Sequence, residues 1–263
     1  MQNLAYAVVM PIWFILHLST SPTVTTNSTP DFLVDFSSVV GIPLSMAVGY
    51  VLPTVLMSLP APSVQSFEQK QMFMALWQEF PLWVGISQQL LQPILARIFG
   101  LSGHKAESRE ISKEKSIKAL RILYVALLAA AGANQVSTMT LVGTSTMFPG
   151  LFAAEYQNPF DVRKVFLPQA TSAFTKVESI GSGVLMLLQY DNFIGSSSMA
   201  LWASTLFLQA RKSGKGSSNF VTICILGLAT VAVTGPLGYA VACVWARDEI
   251  VLAKEVEGEK KMR

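Results

Sequence analysis

Six long apolar runs limit what this chain of 263 residues can become, because each is long enough to cross a lipid bilayer as a helix. Charged residues make up only 13% of the sequence, against about 25% in a soluble domain. The sequence therefore predicts an all-α fold, a polytopic membrane helix bundle with six or seven transmembrane helices. The six spans are predicted at residues 3–19, 37–59, 72–99, 119–142, 183–208 and 219–245.

We expect residues 1–263 to form a single transmembrane helical domain. Residues 102–118 are predicted to form a charged inter-span loop, whose mixed charges at helical spacing favour a solvated or membrane-surface helix. The connection 143–182 combines Phe, Tyr and Pro, which is typical of an ordered loop that caps the bundle. Residues 246–263 are predicted to form a polar C-terminal tail. Prolines inside the spans are interpreted as simple kinks, at Pro11, Pro43, Pro53, Pro81, Pro93 and Pro236.

Two short signals bear on location. Asn27 begins a glycosylation sequon in the first loop, and Lys260 and Lys261 form an ending that resembles a dilysine endoplasmic-reticulum retrieval signal. A cytosolic C-terminus with six spans places the sequon in the lumen, where glycosylation occurs. The same arrangement places the basic segment 102–121 in the lumen, against the positive-inside tendency. The sequence thus predicts a multi-pass endoplasmic-reticulum membrane protein and leaves its orientation open.

Charge and motifs argue against several function classes. The formal net charge of +3 is too small to indicate a nucleic-acid surface. The sequence has no aspartate cluster for a magnesium–diphosphate site, no P-loop, no zinc-protease motif, no serine-hydrolase motif and no dinucleotide fingerprint. Its two histidines disfavour haem or di-iron chemistry, and its two cysteines lie in one predicted helix where they cannot pair. We therefore expect no metal site and no cofactor.

Charged side chains at membrane depth are costly and mark functional candidates by default. The clearest ones are Asp191 and Glu79. Asp191 heads a helical face whose residues are small or polar apart from one tryptophan, so this face is expected to lie against protein or a cavity and not against lipid. The other members of the face are Gly195, Ser198, Trp202 and Thr205.

Each candidate also has a purely structural interpretation. Gln89 and Asn134 can join helices by hydrogen bonds, as amide side chains in membrane spans commonly do. Glu79 lies near the start of its predicted span and can reach interfacial water. Asp191 becomes an N-terminal cap of its own helix if that helix begins at Asn192. The sequence leaves these alternatives open.

A carboxylic acid in an apolar pocket keeps its proton more readily than in water, and it can then donate that proton to a bound molecule. Neighbouring aromatic rings can stabilise the cation that develops after the transfer. We predict Asp191 as the catalytic proton donor, with Glu79 second. The predicted substrate-binding residues are Trp77, Trp83, Gln89, Asn134, Gln189, Tyr190 and Trp202.

Three segments together resemble a known group of proteins: "LAYAVVMPIWFILHLSTSPTV" (4–24), "WQEFPLWVGISQQ" (77–89) and "LLQYDNFIGSSSMALWA" (187–203). They are similar to fungal integral-membrane proteins encoded in indole-diterpene and meroterpenoid gene clusters, which include membrane-bound terpene cyclases of the ascofuranone type. The resemblance implies secondary metabolism at the endoplasmic-reticulum membrane. It also implies prenylated, often epoxidised, aromatic or indole substrates, and relatives that carry further spans before the segment matching Leu4.

From the residues and the resemblance together we expect a metal-independent, isomerase- or lyase-like terpene cyclase that starts ring formation with an acid. The expected partners are the lipid bilayer, a hydrophobic prenylated small molecule and other membrane enzymes of the pathway. Two alternatives remain, a non-catalytic scaffold or carrier of the same pathway and a small transporter. A transporter would favour paired acids along a water-filled path and an internal repeat, and neither is visible in the sequence.

Overall fold

The computed structural model describes residues 6–21, 24, 34–99, 106–153, 161–168, 179–212 and 220–262, and these residues form helices without any β-strand. The predicted all-α fold is therefore confirmed for the described chain. The helices are α1 (Tyr6–Thr20), α2 (Phe36–Ser58), α3 (Phe67–Gln78), α4 (Phe80–Ile98), α5 (Ala106–Met147), α6 (Val162–Phe166), α7 (Ile180–Lys212) and α8 (Phe220–Met262). A 3-10 turn at Pro149–Leu151 follows α5.

Three helical stretches in the described residues are long and apolar enough to cross a membrane: Phe36–Ser58, Glu114–Met147 and Val221–Leu252. They agree with the second, fourth and sixth predicted spans and are consistent with a membrane protein. α1 is also apolar but shorter. The count of six or seven spans stays a prediction.

The third predicted span, 72–99, is divided in the structure into α3 and α4. The two helices meet at Glu79, whose backbone angles of φ −92° and ψ 19° are not helical. Pro81 stands in the first turn of α4, where its missing N–H costs nothing, whereas inside a continuous helix its ring would clash with a preceding carbonyl. Pro81, which the sequence analysis interpreted as a simple kink, therefore lies at the start of a separate helix.

α5 joins two segments that the sequence analysis treated separately. It runs without interruption from the charged stretch after Ala106 through the fourth predicted span to Met147. In its early part, Lys118 Nζ lies 2.8 Å from Glu114 Oε1, one helical turn away, and both side chains are exposed. α8 likewise continues past the sixth predicted span as far as Met262.

The chain divides into two compact units. Beyond the first two residues, one unit comprises Asn3–Asp31 and Tyr124–Arg263, and the other comprises Phe32–Leu123. In this second unit α2 packs on α4, and Gly49 makes the close approach possible because a Cβ there would lie 2.5 Å from the Val84 amide nitrogen. Gln88 joins the same two helices by accepting from the Ser45 hydroxyl at 2.9 Å and donating to the Ser38 carbonyl at 3.0 Å.

The core of the first unit lies between α7 and α8. Small buried side chains, Ala203 and Ala240, allow the two helix backbones to approach closely. Tyr239 packs beside them, and its hydroxyl lies 2.9 Å from the Ser204 hydroxyl across the helix pair.

A partly buried polar cluster joins α5 to α8. The Tyr124 hydroxyl donates to Asp248 Oδ2 at 2.6 Å, and Arg247 donates to Asp248 Oδ1 at 3.1 Å. Arg247 is only 8% exposed, and the ring of Tyr124 stacks on Trp245. Pairing offsets the cost of burying these charges, so each partner depends on the others. The sequence analysis missed this cluster because it ended the span at residue 245.

Tyr124→Phe tests the cluster, because it removes the hydroxyl and keeps the ring that stacks on Trp245. Asp248 Oδ2 then loses a donor, and we expect a loss of about 1–3 kcal/mol in the free energy of unfolding, measured in detergent. Tyr50→Phe is the control, because the Tyr50 ring also packs on an aromatic neighbour while its hydroxyl has no hydrogen bond within the described residues. Equal losses in the free energy of unfolding of the two variants would show that the hydrogen bond from the Tyr124 hydroxyl to Asp248 does not stabilise the fold.

Candidate functional site

A cavity of about 690 Å³ opens inside the first unit, a volume within the range of about 300–1,000 Å³ that small-molecule sites occupy. Its wall is built from α1, α5, α7 and α8, and the short helix α6 covers one side with Val165 and Phe166. The predicted ordered loop 143–182 thus contributes directly to the cavity through its described part. Three aromatic rings, those of Tyr6, Phe166 and Phe193, lie on the wall.

Asp191 lies on this wall, half-buried and well inside α7, which begins at Ile180. Its Oδ1 accepts a hydrogen bond of 2.7 Å from the backbone N–H of Ala7. Ala7 belongs to the first turn of α1, where helix N–H groups have no partner within their own helix. Asp191 therefore caps a different helix, and the alternative that α7 begins at Asn192 is wrong.

This arrangement leaves the two oxygens of Asp191 with different surroundings. Oδ1 is held by the Ala7 N–H, and Oδ2 has no hydrogen-bond partner in the described part of the chain. A protonated carboxyl group accepts through one oxygen and donates through the other. The bond to α1 uses one oxygen of Asp191 and therefore leaves the other oxygen available for a second hydrogen bond.

Two other predicted residues reach the same cavity. Gln189 lies on the wall and donates through Nε2 to the carbonyl of Lys164, so α7 is tied to the covering helix α6. Asn134 contributes from α5, beside Gln135. The structure thus brings Asn134 of α5 to the same space as Gln189 and Asp191 of α7, although Asn134 is far from these two residues in the sequence.

The polar face headed by Asp191 packs against α1, as the sequence analysis expected of a face turned toward protein. A Cβ on Gly195 would overlap the ring of Tyr6, so this glycine allows α1 to approach α7. Trp202 stacks on Phe14 with ring centroids 4.9 Å apart, and it donates through Nε1 to His17 Nδ1 at 3.2 Å. Neither Trp202 nor Tyr190 lies on the cavity wall.

The remaining predicted site residues belong to the second unit. Glu79 is exposed at the junction of α3 and α4 and makes no side-chain capping bond. Trp77 donates to Thr54 Oγ1 at 3.0 Å, and Trp83 donates to the carbonyl of Leu76 at 2.9 Å. Gln89 lines a shallow apolar groove of about 400 Å³ on α4. Asn27 lies outside the described residues.

The most unusual backbone of the described chain is also at the cavity. Within α8, Gly235 has φ 71° and ψ 176°, and no other described residue has a positive φ. Thr234, Gly235, Pro236 and Leu237 all lie on the cavity wall. A Cβ on Gly235 would lie 3.1 Å from Gln135 Oε1, which leaves little room for a larger residue. The sequence contained the signal, because Gly-Pro is a strong helix breaker, but Pro236 was interpreted as a simple kink.

Clusters of three or more histidine, cysteine, aspartate or glutamate residues that could hold a metal ion do not occur in the described ranges. The polar groups that the cavity offers are one carboxyl, several amides, hydroxyls and main-chain groups. Such a set can transfer a proton and orient a hydrophobic molecule.

Comparisons with known proteins bear on the family of the chain. The family model described as the CtvD domain matches residues 1–252. The terpene cyclase ascI of Acremonium egyptiacum is 29% identical over 259 residues, which are 97% of this chain and 62% of that protein. The terpene cyclase penA of Penicillium crustosum is 28% identical over 205 residues, 78% of this chain and 52% of that protein.

A third relative, the terpene cyclase ctvD of Aspergillus terreus, is 26% identical over 258 residues, 94% of this chain and 65% of that protein. The chain thus spans between half and two thirds of the length of these curated relatives. No solved structure matches the chain. The resemblance that three short segments indicated is confirmed.

Gly195→Ala tests whether the contact between Gly195 of α7 and Tyr6 of α1 holds the first turn of α1 in place at the cavity. The added methyl group overlaps the Tyr6 ring and pushes α1 away from α7. We expect the free energy of unfolding to fall by about 1–3 kcal/mol in detergent, with faster amide exchange in the first turn of α1. Gly143→Ala is the matched control, because Gly143 lies inside α5 with no atom within 4 Å of its Cβ position. If amide exchange at Ala7 in the Gly195→Ala variant matched the wild type, the contact between Gly195 and Tyr6 would not be what holds α1 against α7.

Proposed function

Because the chain belongs to the CtvD domain family, we propose that it is a membrane-bound terpene cyclase. The relatives named in the comparisons are all called terpene cyclases. The observation that carries the proposal for this chain is Asp191 on the wall of a partly aromatic cavity, with Oδ1 held by the Ala7 N–H and Oδ2 without a partner in the described residues. The proposed reaction is acid-initiated cyclisation of a prenylated, epoxidised intermediate.

In the proposed reaction the protonated Oδ2 of Asp191 donates its proton to the epoxide oxygen of the substrate. One carbon–oxygen bond of the epoxide breaks, and the electron pair of a nearby double bond forms a carbon–carbon bond to the carbon left positive. The positive charge moves along the chain, and loss of a proton from a neighbouring carbon ends the reaction. The substrate is isomerised, and the oxygen remains in the product as a hydroxyl group.

The other wall residues have roles that fit this chemistry. The rings of Tyr6, Phe166 and Phe193 can face the cation, because the face of an aromatic ring attracts positive charge. Gln189 and Asn134 offer amide groups that can orient the polar end of the substrate. In the proposed enzyme the covering helix α6 shields one side of the cavity from water, which would otherwise capture the cation.

Several finer attributes belong to the same proposal. We propose that the enzyme needs no metal, acts in meroterpenoid or indole-diterpene synthesis, and resides in the endoplasmic-reticulum membrane with other enzymes of its pathway. Glu79 remains a second candidate acid, although it is exposed and belongs to the second unit. Glycosylation at Asn27 and substrate contacts by Trp77, Trp83, Gln89, Tyr190 and Trp202 also remain proposals.

One observation favours a second function, that of a non-catalytic scaffold or carrier of the pathway. Asp191 makes a structural bond to α1, and that bond alone would explain an acid inside an apolar helix. On this alternative the cavity holds a prenylated intermediate without changing it. The two functions differ in whether Asp191 must carry a proton.

Asp191→Asn separates the two roles. The amide oxygen of asparagine can still accept from the Ala7 N–H, but the side chain cannot act as an acid. We expect this variant to fold and accumulate like the wild type, and to make at least about 100-fold less cyclised product from an epoxidised prenyl-aromatic precursor, as mass spectrometry of host extracts would show. Asp191→Ala loses both the cap and the acid, so product and stability both fall.

Asp35→Asn is the control, because Asp35 is exposed before α2 and makes no side-chain capping bond. The cyclase proposal is wrong if the Asp191→Asn variant makes wild-type amounts of product at equal abundance in the membrane. If deletion of the gene lowers total flux without accumulation of an uncyclised precursor, the scaffold is supported instead.

A further inference from the structure

The interruption of α8 lies near the middle of the candidate span Val221–Leu252. Non-helical backbone at membrane depth is tolerated where it is buried in protein or lines a cavity, because an unpaired main-chain group has no hydrogen-bond partner in lipid. Gly235 is buried, and the residues Thr234–Leu237 lie on the wall of the cavity that holds Asp191. The break therefore places main-chain polar groups at the candidate site.

We infer that this interruption is the cation-binding element of the cavity, with main-chain carbonyl oxygens of the turn before Gly235 facing positive charge on the substrate. The inference rests on the proposed cyclisation, which develops such a charge. It assigns this role to the backbone of α8 in addition to the aromatic rings of Tyr6, Phe166 and Phe193 on the cavity wall.

The chemistry of proline supports an excess of acceptors over donors at the break. In a continuous helix the carbonyl of Ala232 would accept from the N–H of residue 236, but that residue is proline and has no N–H. A helix break without proline frees donors and acceptors alike. Here Pro236 removes a donor from the first turn of the second half-helix, so carbonyl oxygens outnumber N–H groups.

Gly235 shows that the break is more than a proline kink. Its φ of 71° and ψ of 176° lie in a region that essentially only glycine occupies. Pro11, Pro43 and Pro93 also lie inside helices, and the backbone near them stays at negative φ. The combination of glycine and proline in α8 therefore produces a true interruption.

The neighbours of the break fit a positively charged occupant. A Cβ on Gly132 of α5 would lie 3.9 Å from the Val233 carbonyl oxygen, so α5 approaches the break closely. Gln135 presents Oε1 beside Gly235, and Asp191 lies on the wall of the same cavity. Oxygen acceptors of Gln135 on α5 and Asp191 on α7 thus line the cavity beside the break in α8, and oxygen acceptors attract a cation.

Pro236→Ala tests the inference, because it restores the missing N–H and adds a strong helix former, while Gly235 can also adopt helical angles. α8 can then become continuous, which pairs the Ala232 carbonyl and slows amide exchange across residues 230–240. Binding to the full chain in lipid nanodiscs is measured with N,N-dimethylfarnesylamine, a cation at neutral pH, and with the neutral farnesyl methyl ether. Pro43→Ala is the matched control, since Pro43 lies inside α2 and not on the cavity wall.

We expect the wild type to bind the amine more tightly than the ether. We also expect the amine, but not the ether, to slow amide exchange across residues 230–240. In Pro236→Ala the preference for the amine should fall by about tenfold, since hydrogen bonds to charged groups are among the stronger ones, and it should be unchanged in Pro43→Ala. Turnover by the Pro236 variant should release products with fewer rings.

An unchanged preference in a Pro236→Ala protein with a continuous α8 would overturn the inference. So would a wild type in which the amine and the ether affect the exchange of 230–240 equally, whether or not the variant folds. These measurements need no turnover, so a cation site without cyclised product would disprove only the proposed function. Loss of product in Asp191→Asn with an unchanged preference in Pro236→Ala would disprove only the cation site.

Discussion

The hydrogen bond from the Ala7 N–H to Asp191 joins the start of α1 to the middle of α7, and the cavity depends on this joint. Gly195 lets the Tyr6 ring lie against α7, and the stacking of Trp202 on Phe14 continues the same contact along the helix pair. These interactions fix one wall, and α5, α8 and α6 complete the others. The polar face of α7 therefore has two tasks, since it packs α1 along most of its length and presents an acid to the cavity at one end.

Capping and catalysis make opposite demands on an acid. A helix N-terminus favours the ionised carboxylate, whereas proton donation requires the protonated form. The geometry reconciles these demands, because the bond to Ala7 uses one oxygen of Asp191 and the reaction would use the other. In the proposed enzyme the interruption of α8 adds carbonyl oxygens whose negative potential does not depend on the protonation of Asp191. In the proposed enzyme, a side chain starts the reaction and the backbone stabilises the charge that follows.

Sequence patterns predicted where the helices lie better than they predicted which residues of different helices contact each other. Apolar length identified the three strongest spans, and helical spacing showed that the face of Asp191 turns toward protein. Spacing could not show that Asp191 caps α1, because the two bonded residues are 184 positions apart in the sequence. The same limit hid the bond between Tyr124 and Asp248, which are 124 positions apart. The breaks at Glu79 and Gly235 were local and carried proline signals, but a proline inside an apolar run reads equally well as a kink.

The central claim is that Asp191 carries a proton at the cavity and meets the substrate through it. Infrared difference spectroscopy tests this claim directly, because a protonated carboxyl group and a carboxylate absorb at different frequencies. A saturated epoxide analogue, which can accept a hydrogen bond but cannot cyclise, would be added to the wild type and to Asp191→Asn. We expect a protonated-carboxyl band that shifts on binding in the wild type and is absent from the variant. A spectrum in which binding perturbs only carboxylate bands, or in which the two proteins respond alike, would contradict the claim.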